Sequence, residues 1–324
     1  MFFYFLLVFL SILPVYLLAN YIYKNDFDKE PTKLIVKLFA CGFGSAILTL
    51  LISANVLYHI PLFSADTTEL NALELIPYVF IGVALVEEFC KWIFVYFITY
   101  KNKEFNHAYD AIVYSVFVSL GFACIENVMY VVSNYEVSVA ITRALLAVPG
   151  HACDAVFMGY FLALAKISDK HNNSNLSFKN KVFSLLVPVL LHGIYDYLIF
   201  ASPYISIFSL LFFVFVAFAF NKAIDTVKRM KVLKIELGDT PNWNSSNVTV
   251  AYQSVPNVNN VQVDYNQNSQ LFNNIPVNNQ VPNMQPQFNQ IPNVQQSQPQ
   301  VSNINSYQNN TVDSVQVINN QQNQ

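Results

Sequence analysis

Glu87, Glu88 and Lys91 interrupt an otherwise apolar run, Ile81-Gly-Val-Ala-Leu-Val-Glu-Glu-Phe-Cys-Lys-Trp-Ile-Phe-Val-Tyr96. An ionised side chain near a bilayer centre costs at least about 2.5–3.5 kcal/mol. Such groups persist mainly where they face a protein interior or a wet cavity and act there. On a helix, Glu87 lies four residues and Glu88 three residues before Lys91, so either carboxylate reaches the ammonium. Adjacent helical positions diverge by about 100°. Lys91 is therefore expected to neutralise one glutamate while the other points elsewhere and serves as general base for water. An ion pair that only fixes helix packing explains two acids against one base poorly.

Three further apolar segments carry polar groups. Gly121-Phe-Ala-Cys-Ile-Glu-Asn-Val-Met-Tyr130 contains Glu126 and Asn127. Arg143-Ala-Leu-Leu-Ala-Val-Pro-Gly-His-Ala-Cys-Asp154 places His151 and Asp154 three apart, directly after Pro149-Gly150. Arg143 is expected to snorkel toward the interface. Leu191-His-Gly-Ile-Tyr-Asp-Tyr197 places His192 and Asp196 four apart on one helix face, where the aspartate can orient the imidazole. Together these residues suit two chemistries. In one, a glutamate activates water and the histidines stabilise the oxyanion without metal. In the other, a zinc ion is held by ligands drawn from Glu88, Glu126, His151 and His192, with a spare glutamate as base. No HExxH helix, the usual strong zinc signature, is present.

The elements that must position these groups are membrane helices. The chain is 54% hydrophobic and 11% charged, with 28 Phe and 19 Tyr, unlike a soluble domain. A spanning helix needs about 20 mostly apolar residues. Seven stretches qualify or nearly so: Phe2–Tyr23, Leu34–Leu57, Leu75–Tyr100, Tyr109–Val132, Val137–Ala165, Val182–Ala201 and Pro203–Phe220. The fifth is expected to kink or break at Pro149-Gly150. The last two, parted only by Ser202 and Pro203, should form a tight antiparallel pair. The first lacks the basic n-region and small-residue cleavage site of a signal peptide and is expected to be retained.

Apart from Lys91 and Arg143, every Lys and Arg follows the first, third or seventh stretch or borders the loop after the fifth. By the positive-inside rule the N-terminus lies outside and the C-terminus inside, which puts Glu126 in the outer half of its span. The fold class is thus all-α: a polytopic bundle of about seven membrane helices. The expected location is the plasma membrane. The net charge of −3 gives no sign of a nucleic-acid partner. The four cysteines, Cys41, Cys90, Cys124 and Cys153, lie in apolar runs without CxxC spacing, as buried hydrophobes do.

Composition changes after Gly238. The remainder is dominated by Asn, Gln, Val, Pro and Ser and contains no Lys or Arg. Such a segment cannot bury a core. The chain divides into a membrane domain, residues 1–235, and a cytosolic tail, residues 236–324, expected to be disordered.

Glu87-Glu-Phe-Cys-Lys-Trp92, Gly121-Phe-Ala-Cys-Ile-Glu-Asn127, His151 and His192-Gly-Ile-Tyr-Asp196, in this order on successive spans, resemble the motifs of the PrsW family of intramembrane proteases, relatives of the CAAX prenyl endopeptidases. The resemblance covers roughly residues 1–235. It implies cleavage of a single-pass membrane protein, of the anti-sigma-factor kind, near its extracytoplasmic side. By analogy with the CAAX enzymes it makes Glu87 the base and pairs Glu88 with Lys91, whereas i,i+4 geometry alone slightly prefers the reverse split. CAAX enzymes carry a histidine where this chain has Glu126, which disfavours prenyl-protein processing. The implied site is Glu87, Glu88, Lys91, Glu126, Asn127, His151, His192 and Asp196, with zinc as the implied metal if there is one. Two other functions use the same residue types: an inactive pseudoprotease acting as chaperone, and a proton-coupled transporter, for which no inverted repeat is evident.

Overall fold

The computed structural model describes residues 2–233 and residue 237. Among them every regular element is helical. The domain boundary at 235 and the tail fall outside the described residues, apart from Leu237.

Helix α1 (Phe2–Asn25) is followed by α2 (Thr32–Asn55), a 3₁₀ turn (Leu57–His59) and the single turn α3 (Pro61–Ser64). The short α4 (Leu75–Pro77) runs directly into a π-helical segment (Tyr78–Leu85) and then α5 (Val86–Thr99). Helix α6 (Asp110–Asn134) precedes α7 (Val137–Thr142), which continues through a second π-helical turn (Arg143–Ala147) into α8 (Val148–Lys170). Helices α9 (Ser174–Phe200) and α10 (Ile207–Leu233) complete the bundle.

Six helical stretches are long and apolar enough to cross a membrane: Leu6–Asn25, Thr32–His59, Asp110–Asn134, Val137–Lys170, Ser174–Phe200 and Ile207–Lys231. They coincide with six of the seven expected spans. The remaining one, 75–99, is helical throughout, but Glu87, Glu88 and Lys91 all fall inside it. Its charges, not its length, set it apart from the other six.

Helix α6 is the axis. Of its most apolar 18-residue window 78% is buried, against 22% for α10. Ser, Ala and Gly recur along it, and in a membrane such small residues let neighbouring backbones approach. Helix α2 crosses α6 at Gly42 and Gly121. A methyl group on Gly121 would overlap the Phe39 carbonyl oxygen and sit 3.0 Å from the Gly42 Cα.

The fifth span does not break at Pro149-Gly150. Pro149 lies in the first turn of α8. The preceding turn is π-helical, with the Val148 amide donating to the Arg143 carbonyl five residues back. A proline lacks the amide that an α-turn requires. The wider turn before it lets the helix run on.

The lysine-bearing loops meet at one end of the bundle. There Lys231 Nζ reaches Asn25 Oδ1 (2.9 Å), and Asp169 Oδ2 accepts from the Tyr100 hydroxyl (2.6 Å) and Lys181 Nζ (3.1 Å). At the other end the Tyr204 hydroxyl meets the Thr68 carbonyl (3.4 Å). Helices α9 and α10 form the expected adjacent pair, with Leu198, Phe212 and Val216 between them.

Gly121→Ala is expected to lower stability by about 1–3 kcal/mol through overpacking. The readout is the thermal unfolding midpoint in detergent. An unchanged midpoint would mean that α2 and α6 do not meet this closely.

Candidate active site

Four helices bring the polar residues together: α5 supplies Glu87, Glu88 and Lys91, α6 supplies Glu126, α8 supplies His151 and Asp154, and α9 supplies His192 and Asp196. Both π-helical segments lie shortly before site residues on the same helix, one ending at Leu85 before Glu87 and one at Ala147 before His151. Such turns are rare and concentrate at functional sites. Gly193, beside His192, receives the Phe80 ring from the first of them, and a side chain there would overlap that ring.

Lys91 is fully buried. Its Nζ donates to Glu88 Oε1 at 2.7 Å and lies 3.1 Å from His151 Nδ1 and 3.6 Å from Glu87 Oε2. It also stands 4.1 Å from the centre of the Phe122 ring, a cation–π distance. The tighter partner is thus Glu88, the split that the family resemblance implied. Glu87 does not point elsewhere. It faces the same cluster, because α5 packs against α2, α6 and α9 and meets α8 through His151, so both glutamates find the polar interior.

The hydrogen bonds fix both imidazoles. An ammonium only donates, so His151 Nδ1 accepts from Lys91. Its proton sits on Nε2 and is donated to Glu126 Oε2 at 2.7 Å. His192 Nδ1 lies 2.9 Å from Glu88 Oε1, a carboxylate oxygen, and must carry a proton there. His192 Nε2 then faces Asp196 Oδ2 (3.5 Å) and Glu87 Oε2 (3.9 Å). The His151 and His192 ring centres are 5.5 Å apart.

Asn127 lies one step away from this cluster. Its Oδ1 accepts from Arg143 Nε and its Nδ2 donates to the Ser11 carbonyl of α1, each at 2.8 Å. Arg143 does not snorkel. It reaches Glu126 Oε2 at 2.8 Å and stacks 4.1 Å from the Tyr130 ring. Its position inside an apolar span was a sufficient signal that it needs a partner there. Asp154, noted in the sequence beside His151, is buried next to Glu88, His192 and Lys91.

Glu87, Glu88, His151 and His192 each offer a ligand atom within 4.8 Å of the others, and all four are buried. Glu126, expected among possible ligands, is instead held by His151 and Arg143. Imidazole and carboxylate donors suit zinc. Glu87 Oε2 and Glu88 Oε2 are buried without a hydrogen-bond partner, as carboxylate oxygens reserved for a cation would be. The donor set therefore fits a zinc ion, with the Lys91 ammonium as its competitor for His151 and Glu88.

A family profile described as PrsW family intramembrane metalloprotease matches residues 30–220. Protease PrsW of Oceanobacillus iheyensis is 38% identical over 189 residues, 58% of this chain and 80% of that protein. Protease PrsW of Halalkalibacterium halodurans is 39% identical over 187 residues, 57% of this chain and 80% of its own. Protease PrsW of Bacillus subtilis is 32% identical over 207 residues, covering 63% and 88% respectively. No solved structure matches significantly. The acid–histidine cluster enclosed by apolar helices and the profile spanning it agree: this integral membrane chain belongs to the PrsW family of intramembrane metalloproteases.

Proposed function

We propose that this chain hydrolyses a peptide bond of a single-pass, anti-sigma-factor-like membrane protein, with Glu87 as the base that activates water. One contrast carries the assignment. The Glu88 side chain is wholly enclosed, while that of Glu87 is 11% exposed. Glu88 is committed to Lys91 and His192. Glu87 makes only longer contacts and can reach a water molecule.

Glu87 takes a proton from water as the oxygen attacks the scissile carbonyl, and returns it to the leaving amide nitrogen. His192, anchored at Nδ1 by Glu88, presents Nε2 beside Glu87 and donates to the developing oxyanion when protonated. Asp196 faces the same nitrogen and orients the ring. Glu126 orients His151, and Arg143 and Asn127 hold Glu126 in place. A zinc ion, when bound, would be held by Glu88, His151 and His192 and would polarise the carbonyl as a Lewis acid. Glu126 lies eight residues before the end of α6, or about 12 Å along the helix. That depth suits a substrate bond entering from the end opposite the lysine-bearing loops.

In liposomes holding the purified protein and a single-pass substrate, Glu87→Gln is expected to slow cleavage by about 10²–10⁴-fold, with an unchanged unfolding midpoint. Cleavage at the wild-type rate would remove Glu87 from the base role. Lys91→Met leaves buried carboxylates without their cation and should cost about 3–5 kcal/mol. Adding Glu88→Gln should restore much of that stability but no activity. Thermal unfolding of the single and double variants checks this, and equal midpoints would show that Lys91 is not the counter-ion.

A further inference from the structure

A second set of buried acids lies at the lysine-bearing end of the bundle, apart from the catalytic cluster. Asp26 follows α1, Glu30 precedes the proline that opens α2, and Asp110 is the first residue of α6. They are 3%, 5% and 0% exposed. Asp26 Oδ1 accepts from the Asp28 amide (3.3 Å). Asp110 Oδ2 accepts from the Asn106 (3.0 Å) and His107 (2.7 Å) amides. Asp26 Oδ2, Glu30 Oε2 and Asp110 Oδ1 have no hydrogen-bond partner among the described residues.

Two fully buried phenols are aimed into the same place. The Tyr114 hydroxyl faces Glu30 and Asp110, and the Tyr109 hydroxyl faces Asp26. Tyr114 lies close enough to the Glu30 carboxylate to share a hydrogen bond with it, and the Tyr109 hydroxyl has no hydrogen-bond partner among the described residues. The nearby bases are turned to other groups. Lys29 Nζ donates to the Tyr23 and Asp26 backbone carbonyls, and His107 Nδ1 lies 3.4 Å from Asp28 Oδ2, outside the buried set. Capping and the helix dipole at the start of α6 account for one Asp110 oxygen, not for the unpartnered ones. Burial pushes the Glu30 carboxyl up to about 7, and it raises that of Asp26 despite the nearby Lys29 ammonium.

We propose that Asp26, Glu30 and Asp110 bind a hydrated divalent cation of the Mg²⁺ class, clamping the α1–α2 turn to the start of α6. All the donors are oxygens, which hard cations select. The ligand atoms of these three acids do not all lie within 4.8 Å of one another, as those of the four catalytic groups do. Looser carboxylates suit an ion that keeps several of its own waters.

The test is Mn²⁺ binding to the full-length protein in detergent, followed by electron paramagnetic resonance, with Mg²⁺ as competitor. Glu30→Gln is the main variant, since the amide keeps the side chain's shape and an acceptor oxygen for Tyr114 while removing the charge. Asp26→Asn is the second, should the first fail to fold. Wild type should hold one Mn²⁺ that Mg²⁺ displaces. Either variant should bind it about tenfold more weakly or worse, while Glu88→Gln leaves it in place. The unfolding midpoint should rise with Mg²⁺ in wild type and not in the variants. Equal Mn²⁺ affinity and equal Mg²⁺ response in wild type and variants would overturn the proposal, as would Mn²⁺ lost only in Glu88→Gln.

Discussion

A single ammonium group with no solvent contact organises the membrane interior of this chain. Moving such an ion from water into a medium of low dielectric constant costs on the order of 20 kcal/mol in the idealised limit. Lys91 can sit where it does only because Glu88, Glu87, His151 and the Phe122 face surround it at once. These partners come from three helices. Helix α5 therefore cannot be placed in the bundle independently of α6 and α8, and the most charged helix is fixed by its charges. Polarity that would forbid membrane insertion of α5 alone becomes the register mark for its neighbours.

From Lys91 the network spreads in two directions. Through Glu88 it reaches His192 and Asp196 on α9. Through His151 it reaches Glu126, then Arg143 and Asn127, and ends on the Ser11 carbonyl of α1. The orientation of the histidines thus rests on the first helix, distant in sequence. Each link also sets the protonation of the next. Lysine forces the acceptor nitrogen on His151, and glutamate forces the donor nitrogen on His192.

Much of this was legible in the sequence because charge in an apolar span is conspicuous. Glu87, Glu88, Lys91, His192 and Asp196 could be placed on helix faces from spacing alone, and the last pair does lie 3.5 Å apart. Spacing reports only neighbours on one helix, however. The pairing of Glu126 with His151 crosses from α6 to α8, and no periodicity encodes it. The same limit hid the partnership of Arg143 with Glu126 and turned Asn127 toward α1. Pro149 suggested a break because an α-turn cannot supply its missing amide, and no residue pattern announces a π-turn. The acids at Asp26, Glu30 and Asp110 looked like ordinary loop residues, since nothing local in the sequence reveals that all three are buried.

The two π-helical turns have a consequence for how such a chain can diverge. A π-turn holds one residue more than the α-turn it replaces. Deleting a residue between Tyr78 and Leu85 would let that segment relax to α-geometry, whereas the same deletion in an ordinary helix would rotate everything beyond it by about 100°. Lengths of the helical stretches before Glu87 and before His151 can therefore drift by one residue among relatives, while the faces carrying these side chains stay aligned.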